Sequence, residues 1–327
     1  MTGPLRDGVD DQNRSPDAAA APLGATGPRV ALIVNARSRT GRAGFDTACR
    51  LLVARGCTIA AAHAVADPAA LPAVVAEAAA GTHDLVVIGG GDGTISTTVG
   101  AFADRDRVLG LLPLGTANSF AKALGLPLAL DEAVDVLRDG VVARVDLGVL
   151  NGRHFANAVA IGLPADIARG TPHRVKRWVG RSGYLLVAAV RFLRHRAFRA
   201  TVTHDGGTAT FEALELRIAN GGFQGGVPVL PTADVDSGDL VIRVIKGPSR
   251  RALLRVWLQA LRGTTPDTSD PDQSDVVVLR SRAVSIETDP PQRVSVDGEV
   301  VMRTPVKAEI APRALRVMVP RTAARHG

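Results

Sequence analysis

The stretch Gly89-Gly90-Gly91-Asp92-Gly93-Thr94 is the part of this 327-residue chain best fitted to do chemistry. Four glycines in five positions remove the Cβ atoms that would block close approach, and glycine reaches positive φ freely. The run follows the apolar segment Leu85-Val86-Val87-Ile88 directly and opens a helical pattern. Backbone N–H groups at such a turn can face one concavity, which suits a phosphate group. Asp92 is the exception, because a carboxylate facing phosphates is repulsive unless a cation or a hydroxyl lies between them. It therefore implies Mg²⁺, or a hydrogen bond that positions a nucleotide. The run is not a Walker A loop, since G-x-x-x-x-G-K-[ST] occurs nowhere in the chain, nor is it the dinucleotide G-x-G-x-x-G arrangement. Read structurally, it is a tight strand-to-helix turn with Asp92 as cap. Two other segments also have local readings. Leu112–Ala121 fits an ordinary strand–turn–helix with Asn118 as cap, and Asp297-Gly298 between two short strands is a good hairpin turn.

These residues need a scaffold, and the pattern around them supplies one. Strand-type runs at Val30–Val34, Thr58–Ala64, Leu85–Ile88 and Leu109–Leu112 alternate with helical patterns at Phe45–Arg55, Ala69–Ala80, Thr94–Ala103, Asn118–Ala123 and Leu130–Arg138. The alternation argues for an α/β domain with a doubly wound parallel sheet. Beyond Arg144 the texture changes to short strands with tight turns: 144–149, 154–161, 199–204, 209–218, 240–245, 276–279, 283–288, 293–296 and 315–319. Helical patterns at Tyr184–Arg196 and Ser249–Leu261 interrupt them, and Thr264–Asp275 reads as an exposed acidic loop. The expected organisation is a disordered tail over 1–28, a nucleotide-binding α/β domain over 29–144, a β-rich domain over 145–320 and a tail over 321–327. A return of the last strand segment onto the first domain is left open.

Composition narrows the classes. Hydrophobic residues make up 46% of the chain, ample for two cores, and aromatics only 3%, so Val, Leu, Ala and Ile must build them. The formal net charge of +7 is carried mostly by arginine. It reads either as a compositional bias towards Arg and Ala or as attraction to an anionic partner. Cys49 and Cys57 fit no metal or redox spacing. No signal peptide is evident, and no apolar run reaches about 18 residues, so no membrane span is expected. A cytoplasmic location follows, with contact at a membrane surface as the further expectation. The apolar, Arg-flanked patterns at Tyr184–Arg194 and Leu253–Leu258 could serve such contact, or could cap the second domain's sheet.

Several separated motifs, in order, resemble one family. Ile33-Val34-Asn35-Ala36-Arg37-Ser38 is similar to its first strand and Asn-Pro-x-Ser-Gly turn. Gly90–Thr94 matches its Gly-Gly-Asp-Gly-Thr signature, although Ser96 and Thr97 stand where Asn and Glu often follow. Leu112–Ala121 resembles its Pro-x-Gly-Thr-x-Asn-Asp-Phe-Ala motif, with Ser119 in place of Asp. Val145–Gly148, Phe155–Asn157 and Gly162 are similar to the start of its second domain, and Val296-Asp297-Gly298-Glu299 to its Asp-Gly-Glu turn. The family is that of the diacylglycerol kinase catalytic domains of the bacterial lipid kinase type, related to sphingosine kinases. The resemblance spans Arg29 to Pro320.

It implies a nucleotide domain like that of NAD kinases and phosphofructokinases, followed by a C-terminal β-rich sandwich. The implied activity is transfer of the γ-phosphate of ATP, with Mg²⁺, to a lipid hydroxyl, most readily that of diacylglycerol. The implied nucleotide contacts are Asn35, Ser38, Gly90, Gly91, Asp92, Gly93, Thr94 and Thr116. Asp92, Asp297 and Glu299 are the implied catalytic acids, with Glu299 favoured over Asp297 as the base. Asp92 is also an implied metal ligand. A structural Mg²⁺ loop in the family corresponds to Pro231–Asp239, where Ser237 replaces an aspartate while Asp234 and Asp236 remain. The implied partners are a lipid substrate and an anionic membrane surface, with a homodimer compatible and no nucleic acid. A sphingoid-base or other lipid kinase would share every motif. A catalytically silent lipid- or nucleotide-binding protein is the reading from another class.

Overall fold

The computed structural model of the chain describes residues 27–38, 40–163, 165, 195–230, 232–248, 251, 253–255, 258–259 and 275–323. In the first half, β1 (Arg29–Asn35), β2 (Thr58–Val65), β3 (Leu85–Gly90) and β4 (Val108–Pro113) pair in parallel in the order β2-β1-β3-β4. Every residue of β3 and β4 is buried, as continuous apolar runs in a two-sided parallel sheet require. Alternate residues face opposite layers. Ala31, Ile33, Val86 and Ile88 pack with α2 (Leu71–Ala80) and α3 (Asp92–Thr98). Val30, Leu32 and Val87 pack with α1 (Gly41–Ala54) and α5 (Leu130–Asp139). The sheet is thus doubly wound. Each fully buried Val, Leu or Ile contributes about 1.5–3 kcal/mol.

Two boundaries differ from the sequence pattern. Helix α1 starts at Gly41, four residues before the expected Phe45. A Cβ on Gly41 would stand 2.1 Å from the Asn35 carbonyl oxygen, so the glycine there permits close approach rather than breaking the helix. Gly89 and Gly90 belong to β3, which leaves Gly91 as the turn and Asp92 as the first residue of α3 rather than its cap.

The second half is β-rich around one apolar core. Its strands are β5 (Val141–Leu150), β6 (Arg153–Phe155), β7 (Ala158–Gly162), β8 (Phe198–His204) and β9 (Gly207–Ala219). The hairpin β10 (Phe223–Gln224) and β11 (Val227–Pro228) follows, then β12 (Leu240–Lys246), β13 (Val276–Ser281), β14 (Ala283–Asp289), β15 (Arg293–Val296), β16 (Glu299–Arg303) and β17 (Val306–Val319). The single strand expected over 154–161 is broken at Ala156-Asn157, β16 is the second short strand implied by the Asp297-Gly298 turn, and the β10–β11 hairpin has no counterpart in the sequence pattern. The Tyr184–Arg194 segment lies outside the described residues, as do residues 1–26, 264–274 and most of 249–261. Within the last of these, Leu253 is buried and Leu254 and Leu258 are exposed.

Strand β17 joins the halves. Only Leu315–Val319 stood out in the sequence, yet the strand runs from Val306 to Val319. Its first part pairs with β14, while Arg316 and Val317 pair in parallel with β4. Along its length it pairs antiparallel with β5, with a bulge between Ala311 and Leu315 that accommodates Pro312. One sheet path therefore runs β16-β15-β7-β9-β8-β14-β17-β4-β3-β1-β2.

Asp146, on β5, holds that bulge. Arg313, at φ 54°, donates its N–H to Asp146 Oδ1 at 2.7 Å, and the Gly238 N–H donates to Oδ2 at 2.7 Å. Burial raises its carboxyl above the usual range, and the two amides oppose the shift. Asp146→Ala would leave two inward-facing N–H groups without their acceptor, at a cost of about 2–4 kcal/mol. Urea unfolding checks this; a loss under about 0.5 kcal/mol would contradict it.

Candidate active site

The strand order 2-1-3-4 places a switch point between β1 and β3, where the loops beyond their C-terminal ends diverge and open sheets bind ligands. The turns there are at 35–38, at Gly91 and at 115–118, and short contacts lock them and the adjoining ends of β3 and α3 together. Asn35 Nδ2 donates to Thr94 Oγ1 at 3.0 Å, and Asn35 Oδ1 accepts the Arg37 N–H at 3.0 Å. A Cβ on Gly90 would fall 2.5 Å from Thr94 Oγ1. One on Gly115 would fall 2.4 Å from the Gly91 Cα and 2.7 Å from Asn118 Oδ1. At Gly115 backbone meets the Gly91 backbone, and at Gly90 the Thr94 side chain fills the space that a Cβ would need.

Asn118 builds the third loop. It sits at φ 50°, which asparagine tolerates, and its side chain accepts the Gly115 N–H at 3.0 Å. Its Nδ2 donates to the carbonyls of Gly115 and Pro113 at 3.2 and 3.3 Å. Thr116, the expected contact, is exposed on the same loop, and Ser38 lies beside Gly41 with its buried Oγ free of any protein hydrogen-bond partner.

Asp92 opens α3 and faces the start of α4 (Ser119–Ala123). Its Oδ1 accepts the Ser119 N–H at 2.6 Å, and Oδ2 accepts the Ser119 hydroxyl at 3.3 Å. Burial raises the Asp92 carboxyl above its ordinary range; the Ser119 and Phe120 amides, the Ser119 hydroxyl and the Lys122 charge pull it back.

From the other half of the chain comes the β15–β16 hairpin. Val296 pairs with Glu299, and the two turn residues between them, Asp297 and Gly298, have φ 47° and 94°. Positive φ at both positions is the geometry that Asp-Gly favours. The Asp297 carboxylate turns inward and accepts three backbone N–H groups: Asn157 at 2.9 Å and Ala158 at 3.0 Å on Oδ1, and Ala156 at 3.1 Å on Oδ2. Burial raises its carboxyl, those amides lower it, and the Asp92 charge raises it, which places the two acids within electrostatic reach. Glu299 is exposed, and its Oε1 lies 3.4 Å from where a Cβ on Gly93 would stand. The structure therefore brings Asp92, Gly93, Asp297 and Glu299 to one cleft, together with Asn35, Gly90, Gly91 and Thr94.

Asp234 and Asp236 flank Val235, and Asp236 feels the charge of Asp146. Burial raises the Asp236 carboxyl, as do the charge of Asp234, a hydrogen bond to it and the charge of Asp146. Among the described residues, no group of three or more His, Cys, Asp or Glu side chains could hold a metal ion. Sequence reasoning missed the β10–β11 hairpin, which packs against α4, and Lys122 of that helix, whose Nζ donates to the Gly226 carbonyl at 2.6 Å. Only the glycine pair Gly225-Gly226 could have signalled that turn.

Residues 29–150 match the family described as "Diacylglycerol kinase catalytic domain", and residues 157–319 match "YegS C-terminal NAD kinase beta sandwich-like domain". A Pseudomonas aeruginosa protein named "Probable lipid kinase YegS-like" is 32% identical over 250 residues, 76% of this chain and 80% of that protein. An uncharacterized Synechocystis protein is 27% identical over 236 residues, which cover 72% of this chain but only 54% of that longer protein. A crystal structure titled as a diacylglycerol kinase of Bacillus anthracis shares the fold, with a TM-score of 0.71 at 23% identity over 90% of this chain and 98% of that one. The family matches and the Pseudomonas aeruginosa relative define a protein of the lipid kinase class. The chain belongs to the diacylglycerol kinase catalytic-domain family, whose kinases take ATP as phosphoryl donor.

The Gly91–Gly115 contact sets the spacing of the loops. Gly115→Ala is expected to weaken ATP binding about tenfold or more in titration calorimetry. Gly100→Ala, whose added Cβ would meet nothing nearer than 3.6 Å, should leave affinity unchanged. Equal affinities in the two variants would contradict this reading of the loops.

Proposed function

We propose that this protein transfers the γ-phosphate of ATP to the free hydroxyl of diacylglycerol, giving phosphatidic acid. The observation that carries the reading is the meeting of Glu299 with Gly93 beside Asp92, on loops from the two halves of the chain. Phosphoryl transfer needs positioned phosphates, neutralised charge and an oriented hydroxyl. The Gly90–Thr94 turn, steadied by Asn35 and flanked by Ser38 and Thr116, would take the phosphates. Glu299, at the solvent-facing rim, would accept the lipid hydroxyl's proton as that oxygen bonds to phosphorus and the bond to the ADP oxygen breaks. Asp297 suits a holding role, because amides already occupy both its oxygens.

The donor set at Asp92 fits Mg²⁺, which binds through one or two carboxylates together with substrate phosphates and water. Asp92 would hold the ion, and the ion would supply the positive charge that phosphoryl transfer requires. Asp234 and Asp236, two mutually repelling acids, are a second place suited to a divalent cation. Contact with an anionic membrane is supported by exposed Leu254 and Leu258, four residues apart, with Arg251 and Arg255 on the same segment.

Glu299→Gln is expected to lower kcat for lipid phosphorylation by about 10²-fold or more while leaving ATP affinity within about twofold. Wild-type turnover in that variant would remove Glu299 from the base role. The raised Asp92 carboxyl gives a second expectation. Asp92 serves when ionised, so activity rises with pH through its raised pKa, and a bound cation lowers that pKa again. The acid limb of kcat/KM, which reports the free enzyme, should lie above the ordinary aspartate value of about 3.9. The acid limb of kcat, which reports the loaded enzyme, should lie lower. Coincident limbs would count against Asp92 as the cation-holding group.

A further inference from the structure

Ser119 stands where the family motif carries an aspartate, and the structure shows what its hydroxyl does. The residue is 2% exposed. Its hydroxyl donates to Asp92 Oδ2 at 3.3 Å, while the same oxygen accepts the Gly226 N–H at 3.0 Å. Gly226, at φ 81°, lies in the turn between β10 and β11, and a Cβ on it would stand 3.0 Å from the Ala117 carbonyl oxygen. The turn therefore rests flush on the loop that leads into α4. Lys122 fixes the other side of Gly226 through its carbonyl at 2.6 Å.

The far end of this strap is anchored in the second half of the chain. Arg217 on β9 donates to Gln224 Oε1, and Arg243 on β12 donates to the Val229 carbonyl at 2.8 Å. Both guanidinium groups are buried and share the Glu215 carboxylate. Burial lowers the Arg243 pKa to about 10. The strap thus joins a buried ionic cluster of the sandwich to the residue whose amide and hydroxyl hold Asp92.

A hydroxyl can accept from Gly226 and donate to Asp92 at once. An ionised aspartate in its place could accept from Gly226 but would face Asp92 with a like charge. We propose that Ser119 is a positioning residue, through which the strap Phe223–Pro228 sets the orientation of the Asp92 carboxylate. The contact ties the second half of the chain to the Asp92 carboxylate.

The kinetic half of the test rests on the kinase reading above; the exchange half does not. Purified full-length protein and its Ser119→Ala, Ser119→Thr, Lys122→Met and Ser119→Ala/Lys122→Met variants are compared for lipid phosphorylation and for amide hydrogen exchange over 222–229. Ser119→Ala should lower kcat about tenfold, the scale of one charge-assisted hydrogen bond, with KM for ATP within about twofold. Ser119→Thr should retain most activity. Exchange at Gly226 should rise about tenfold in Ser119→Ala and in Lys122→Met, and not in Ser119→Thr. The double variant should lose less kcat than the two single losses combined, because both residues hold Gly226, while the Lys122 charge also reaches Asp92 directly. An unchanged kcat in Ser119→Ala would overturn the proposal even if exchange rose. So would a loss that merely follows the folded fraction, or additive losses in the double variant. A wild-type protein that phosphorylates no lipid, with the exchange pattern as expected, would sink the kinase reading and leave the strap contact standing.

Discussion

Everything at the cleft depends on one buried carboxylate and three backbone amides. Asp297 accepts N–H groups from Ala156, Asn157 and Ala158, and a buried acid without such donors would be costly. The arrangement explains why the chain bends at Ala156-Asn157 rather than continuing as a strand, since the amides there bond to a side chain instead of a neighbouring strand. It also fixes the positive φ at Asp297 and passes the next residues outward, so that Glu299 emerges over Gly93. The same acid feels the charge of Asp92, so the holding group of one half and the phosphate-facing group of the other are electrostatically linked.

Such a link requires the halves to keep their relative position, and three devices hold it. Strand β17 belongs to both, pairing with β14 at one end and β4 at the other. Asp146 pins its bulge. The β10–β11 strap bridges from the Arg217–Glu215–Arg243 cluster to Ser119 and Lys122. Two of the three use a buried carboxylate that caps exposed backbone or guanidinium donors, the kind of contact that is costly to leave half made.

Much of this was legible in the residues. Four consecutive apolar residues before glycine marked β3, and Asp-Gly between alternating strands marked the hairpin turn. Glycine misled where it permits contact instead of breaking structure: Gly41 opens a helix, and Gly90 ends a strand against Thr94. Most of β17 went unread, and a bulge absorbs its Pro312. Thr116 drew notice as the motif threonine, whereas Asn118 does the building through three hydrogen bonds. The nearness of Glu299 to Gly93 is not local at all. No spacing rule reports it, and only the family resemblance pointed there. Lys122 and the strap left no periodic signal, since a two-residue strand pair has none to give.

The proposed role of the site is to move a phosphoryl group from ATP to a lipid hydroxyl. The most direct measurement offers the purified protein γ-labelled ATP with Mg²⁺ and, in parallel micelles, diacylglycerol, a sphingoid base or no lipid. Label appearing in phosphatidic acid, and little with the sphingoid base, is the predicted result. ATP consumed with no label in any lipid, or no consumption at all, would contradict it.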